Sequence, residues 1–96
     1  MIKQAQDLYD LIDKVADADE TLRAEQMPNG AIALHYQTKK LVFMLARMDE
    51  ELRVGHAYFA PFQKNPDWMD DLFADAFNEE YVNTLVEEHL KAETSF

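Results

Sequence analysis

Cysteine is absent from the 96 residues, serine occurs once, and glycine and proline number only two and three. Each scarcity removes a class of protein. Without cysteine there is no disulfide scaffold, no thiolate metal site and no cysteine nucleophile. The lone Ser95, one residue from the C-terminus, gives no basis for a serine-centred triad. Gly30 and Gly55 stand alone, outside any glycine-rich phosphate cradle. Positive charge is scarce too: nine Lys plus Arg face 19 Asp plus Glu, a formal net charge of −10. Such a chain repels nucleic-acid phosphates and anionic lipid, so neither is expected as a direct partner. A basic protein is favoured instead, with an attraction that falls with salt. Long apolar runs are missing as well. The longest, Leu41–Ala46, has six residues, where a membrane span needs about 20. MIKQAQDLYD places no apolar stretch behind a basic region, so no secretory signal and a cytoplasmic location are expected.

What remains is a foldable chain. Hydrophobic residues make up 48 %, too many for an acidic disordered segment. The length suits one domain over residues 1–96, burying roughly 60–65 % of its unfolded surface. Charge divides the chain into three parts. Residues 1–20 carry six acids and two lysines, net −4. Residues 21–64 carry four acids and six bases, net +2. Residues 65–96 carry nine acids and only Lys91, net −8.

Ala5, Leu8, Ile12, Val15 and Ala16 recur at helical spacing opposite Asp7, Asp10, Asp13 and Lys14, which predicts an amphipathic helix over residues 2–18. Met27-Pro28-Asn29-Gly30 is a turn: Pro presets φ, Asn tolerates the next position, and Gly accepts the left-handed one. Ile32, Leu34 and Tyr36 then alternate with Ala33, His35 and Gln37, a half-buried strand, so a hairpin forms around Pro28–Gly30. Residues 41–48 fit two patterns. Leu41, Leu45, Met48 and Leu52 suit a helix, whereas Val42 and Phe43 favour a strand that would complete a sheet; a strand is expected. Residues 52–59 supply a fourth, with Gly55 as a bulge or close-approach point. Beyond Asn65, a helix N-cap, and Pro66, its first residue, Met69, Leu72, Phe73, Ala76 and Phe77 recur as the apolar face of a helix. Asn78 caps a second helix running to about Lys91, with Val82, Leu85, Val86 and Leu90 inward; one long kinked helix is the alternative. The expected fold is therefore α+β: an N-terminal helix, a three- or four-stranded antiparallel meander, and two C-terminal helices packed on one face.

No catalytic constellation emerges. Glu87-Glu88-His89 is contiguous and misses the Glu-x-x-His spacing of helical metal sites. His35 and His56 meet in a cleft only if neighbouring strands bring them there, and the plainer reading is two sheet histidines. No acid is flanked by apolar residues that would raise its pKa for general acid work. No enzyme activity, cofactor or metal is expected.

Acidity near the C-terminus does stand out. Asp67, Asp71, Asp75 and Glu79 recur every four residues, Asp70 and Glu80 widen the row, and no Lys or Arg lies between residues 65 and 90. On a helix these acids form one stripe rising about 6 Å per step, close to the scale of a phosphate backbone. The stripe would occupy the Lys/Arg groove of a nucleic-acid-binding protein, with Trp68 or Phe62 as aromatic anchor. In size and charge the chain is similar to phage-encoded inhibitors of host defence, among them anti-CRISPR and anti-restriction proteins; an immunity protein against a basic nuclease toxin fits equally. The plain alternative is a solvated acidic surface over a core of aromatics. Two other readings are a structural module, such as a homodimer through a sheet edge or the aromatic segment, and a small enzyme using His35 or His56.

Overall fold

A computed structural model describes residues 2–92; Glu93 and Ser95 lie outside them. Helix α1 spans Ala5–Asp17 and buries Leu8, Ile12, Val15 and Ala16, the stripe that its 3.6-residue period requires. Its start is fixed by Asp7, whose carboxylate accepts the backbone N–H groups of Lys3 at 2.9 Å and Gln4 at 3.1 Å. The negative charge also lies at the positive end of the helix dipole.

Five strands follow: β1 (Leu22–Gln26), β2 (Ile32–Tyr36), β3 (Lys39–Met48), β4 (Glu51–Phe59) and β5 (Trp68–Phe73). Each pairs antiparallel with the next, so sheet order equals chain order. The first turn forms as its residues dictate. Gly30 adopts φ +89°, its N–H donates to the Met27 carbonyl at 3.0 Å, and the Asn29 side chain accepts the Ala31 N–H at 3.0 Å. The β3–β4 connection has only two residues, Asp49 and Glu50, at φ +51° and +66°. A two-residue loop needs these left-handed values to match strand twist, and Glu50 meets that need without the freedom of a glycine. Gly55 makes no bulge; it sits in unbroken register opposite Met44.

The expected helix over residues 66–77 does not form, and two features of the chain explain the correction. First, a spacing of four satisfies both helical and strand periods. Trp68 and Leu72, Met69 and Phe73, and Asp67 and Asp71 share a face either way. Second, β4 would otherwise end the sheet with a row of unpaired backbone groups. Residues 68–73 pair with them, from Tyr58 opposite Trp68 to Arg53 opposite Phe73, after the Asp67 N–H donates to the Tyr58 carbonyl at 2.9 Å. Only a 3₁₀ turn, Ala74–Ala76, remains of that helix.

The second C-terminal helix begins where the sequence marks it. The Asn78 side chain accepts the Tyr81 N–H at 2.8 Å, helix α2 covers Glu79–Leu85, and a π-helical turn continues over Val86–Leu90. Val82, Leu85, Val86 and Leu90 are all buried. Both helices lie on the same face of the sheet, where they cover Ile32, Leu34, Leu41, Phe43 and Val54. The fold is thus α+β in two layers, with five strands rather than three or four and a single core between sheet and helices.

Candidate functional site

The opposite face of the sheet carries no layer among the described residues. Strand alternation places Val42, Met44, Ala46 and Met48 of β3 there, beside Gly55, Ala57 and Phe59 of β4 and Met69 and Phe73 of β5. Open faces of antiparallel sheets ordinarily alternate polar-out, but here the outward positions are mostly apolar. Met44, Met48, Met69 and Phe73 are exposed, Met69 to 68 %. The missing side chain of Gly55 leaves a shallow depression between Met44 and Asp71, part of a groove of about 460 Å³. Three of the five methionines line this surface, and methionine is the flexible, polarizable side chain that adapts to a second surface. The sequence reading missed this face. Its signal was the unbroken run Leu41–Ala46, in which both strand parities are apolar, as in a strand covered on both sides.

Charges on this face balance. Arg23, Lys40 and Arg53 share it with Glu25, Glu51 and Asp71 by strand register. Arg53 is the most engaged: its Nε donates to Asp71 at 2.6 Å, a second nitrogen lies 3.7 Å from Glu51, and its guanidinium sits 4.2 Å from the Phe73 ring centroid.

The acids expected to form one stripe are distributed over several surfaces. Asp71 faces the open side and is held by Arg53. Asp70 points to the other side, at the sheet edge opposite His56. Asp67 precedes β5 and Asp75 lies in the 3₁₀ turn, both exposed. Glu79 and Glu80 belong to α2, and Glu79 pairs with Lys14 of α1 at 3.3 Å. The expected anchors also separate. Phe62 is 93 % exposed in the β4–β5 loop, at φ +63°. Trp68 is half-buried, with its ring stacked 4.3 Å from His89.

Negative charge gathers on the helix layer instead. Asp7, Asp10, Asp13 and Asp17 lie on α1, and Glu79, Glu80, Glu87 and Glu88 on α2 and the turn after it, with Lys14 the single Lys or Arg within these elements. A broad depression on α2 is lined by Glu79, Glu80, Glu87 and Glu88 together with Asn83 and Thr84.

The histidines do not form a shared cleft. His35 faces the open side and lies 2.7 Å from Glu25; that contact, donated by the imidazole, holds the Glu25 carboxyl below its usual range. His56 faces the core and is only 3 % exposed. Its Nδ1 donates to the Val54 carbonyl at 3.0 Å, and its Nε2 accepts the Tyr81 hydroxyl at 2.8 Å. A carbonyl can only accept, so Nδ1 carries a proton, and in the neutral ring Nε2 is the acceptor. Burial pushes its pKa below the usual histidine range. Phe77 and Trp68 pack around the ring, so His56 is part of the core.

Among the described residues no cluster of three His, Asp or Glu side chains is arranged to hold a metal ion, and no helix is long and apolar enough to cross a membrane. Comparison with protein-family models, characterised proteins and solved structures finds no match to this chain. The functional reading therefore rests on the two surfaces: an acidic helix layer and an apolar, charge-balanced sheet face.

Proposed function

We propose that this is a non-catalytic, cytoplasmic interaction protein that binds a basic protein surface through its helix layer. One observation carries the reading: the outward sides of α1 and of α2 with its π-helical turn hold eight carboxylates against Lys14 alone. Mutual repulsion among like charges at this spacing costs a few tenths of a kcal/mol per pair, and a cationic partner relieves it. The field of a net −10 body also speeds encounter with such a partner. Glu80 on α2, Glu87 and Glu88 on the π-helical turn after it, and Asp10, Asp13 and Asp17 on α1 are the docking residues, with Asp70 and Asp75 at their margin. Asp71, neutralised by Arg53, drops out of that role.

In its sharpest form the partner is a nucleic-acid-binding protein, and the helix layer takes the place of phosphates in its Lys/Arg groove. Inhibitors of this kind are carried by phage and mobile elements; an immunity protein for a basic nuclease uses the same chemistry. The test is capture from lysate at low and high salt, followed by competition of the captured protein with DNA or RNA. Glu80→Lys with Glu87→Lys is expected to reduce low-salt capture by about tenfold or more, since each reversal replaces an attraction with a repulsion. Capture that ignores both the reversals and the salt rejects the reading.

A further inference from the structure

We propose that the open face of the sheet packs against the same face of a second copy of this chain, giving a four-layer dimer with both helix layers outward. The inference concerns the surface opposite the acidic one and is independent of the reading above.

A covering layer is required first by the composition of β3. Leu41 and Phe43 are fully buried under the helices, yet Val42, Met44, Ala46 and Met48 on the other parity are as apolar. Together with Met69 and Phe73 they form an uncovered apolar patch, the usual mark of a protein interface. The size of the face sets the strength of the contact. β3 and β4, of ten and nine residues rising about 3.3 Å each, together with six-residue β5 outline its apolar part at roughly 15 × 30 Å. That is about half the ~800 Å² per partner of a standard specific interface, the size of a reversible, concentration-dependent association.

Charge selects a second copy as the occupant. This face is balanced, three acids against three bases, whereas the helix layer carries eight carboxylates. Two copies of a −10 chain can approach with least repulsion through this side, keeping their helix layers apart beyond the screening length of about 8–10 Å. The outermost charges on β3 and β4 are opposite in sign. Lys40, over the Phe59 ring at 5.1 Å, marks one end of the face; Glu51, beside the Asp49-Glu50 turn, marks the other. A two-fold axis running across the strands exchanges these ends, bringing Lys40 of each copy to the Glu51 end of the other. A two-fold along the strands would pile like on like.

The same axis falls at the level of Met44 and Gly55, midway along β3 and β4. There the two Met44 side chains meet, the depressions over the two Gly55 residues receive them, and the two Asp71 carboxylates, at the same level, face each other with each already paired to its own Arg53. One step away, Met69 on β5 meets the second copy's Phe73, a sulfur–aromatic contact, and Val42 meets Ala46. Gly55 has room for this purpose: a Cβ there would touch only the Met44 carbonyl, at 3.8 Å, so glycine is not required by the single chain. Its vacancy serves the contact. The packing is that of aligned sheets about 10 Å apart.

The test is molecular mass by light scattering or sedimentation across concentration, on the wild type, Met44→Glu and Gly55→Ile. The wild type is expected to move from one chain of 11.2 kDa to two as concentration rises. Because a two-fold brings every substitution into the contact twice, each variant is expected to weaken self-association by about thirtyfold or more. Far-UV circular dichroism and thermal melting of the dilute single chain keep the result interpretable: Met44→Glu leaves them unchanged, and Gly55→Ile, which puts a β-former in place of a strand glycine, does not lower the melting point. The cysteine-free sequence gives a third arm. Met44→Cys, on the axis, forms an intermolecular disulfide under mild added oxidant, and Thr84→Cys, on the outward side of α2, does not.

A wild type that stays a single chain at every concentration overturns the proposal, including the case in which a different protein covers this face. Self-association unaffected by either variant places the contact elsewhere, such as the β5 edge, and also overturns it. Glu80→Lys and Glu87→Lys lie on the other side and leave the mass unchanged, so this proposal and the helix-layer function fail separately.

Discussion

One sheet presents two faces that the chain treats differently. On the covered face, Ile32, Phe43 and His56 share a cross-strand row and lie under the helices; each is buried. On the other face, Ala33, Val42, Ala57 and Met69 form the parallel row, and exposure rises along it until Met69 is mostly in water. Similar apolarity with diverging burial from Val42 to Met69 shows that hydrophobic patterning alone does not say which side of a strand the chain itself covers. Helices α1 and α2 have one apolar stripe each, and both are consumed on the first face.

The sharpest way to test the contrast is to truncate matched residues. Phe43→Ala removes a fully buried ring that packs edge-on against Phe77; a loss of about 3–5 kcal/mol is expected in urea unfolding. Met69→Ala on the open side is expected to cost the dilute single chain under about 0.5 kcal/mol. Comparable losses at both positions would mean that the open face is covered within one chain.

Of intermediate size is the polar contact inside the covered face. Tyr81→Phe takes away the hydroxyl that donates to His56 Nε2, and a loss of about 1–3 kcal/mol is expected. The same pocket sets a pH dependence. His56 has a depressed pKa in the folded state, so the unfolded chain binds the proton more readily. Its contribution is complete above the ordinary histidine value of 6.5 and is lost as pH falls through the lowered folded pKa. His56→Phe is expected to flatten that part of the stability–pH curve; an unaltered curve would assign the dependence to another group.

Smaller still is the hairpin tip on which β3 and β4 both turn. Glu50→Gly relieves a left-handed residue at φ +66° and is expected to raise stability by about 1 kcal/mol. The least effect is at the surface. Lys91 donates to Asp19, and with the Thr21 hydroxyl and N–H this holds the Asp19 carboxyl down to about 2 from 3.8. Its contribution is present above pH 3.8 and lost as pH falls toward 2. Asp19→Asn should remove only that acid limb, read by melting at successive pH values.

Much of the covered half was legible in the residues. The α1 stripe, the Pro28–Gly30 turn, the alternation of Ile32–Tyr36 and the Asn78 cap each depend on interactions within a few residues, so local pattern suffices. The acidic segment was misread because its four-residue spacing suits a strand as well as a helix. The choice was made by the unpaired edge of β4, which is distant in sequence. His56 was underrated for a similar reason: its neighbours Phe43, Phe77 and Tyr81 come from β3, the link between the 3₁₀ turn and α2, and α2.

By itself the sequence determined composition, net charge, the α+β class and the turns and caps, because these are properties of residue types and short spacings. Tertiary structure alone decided that residues 68–73 pair as a fifth strand, that the carboxylates concentrate on the helix layer rather than along one stripe, and that Met44, Met48, Met69 and Phe73 come together in the open. The reason is physical: which surface a side chain joins depends on the long-range hydrogen-bond partners of its backbone, and on how much apolar area the two helices have to cover the sheet.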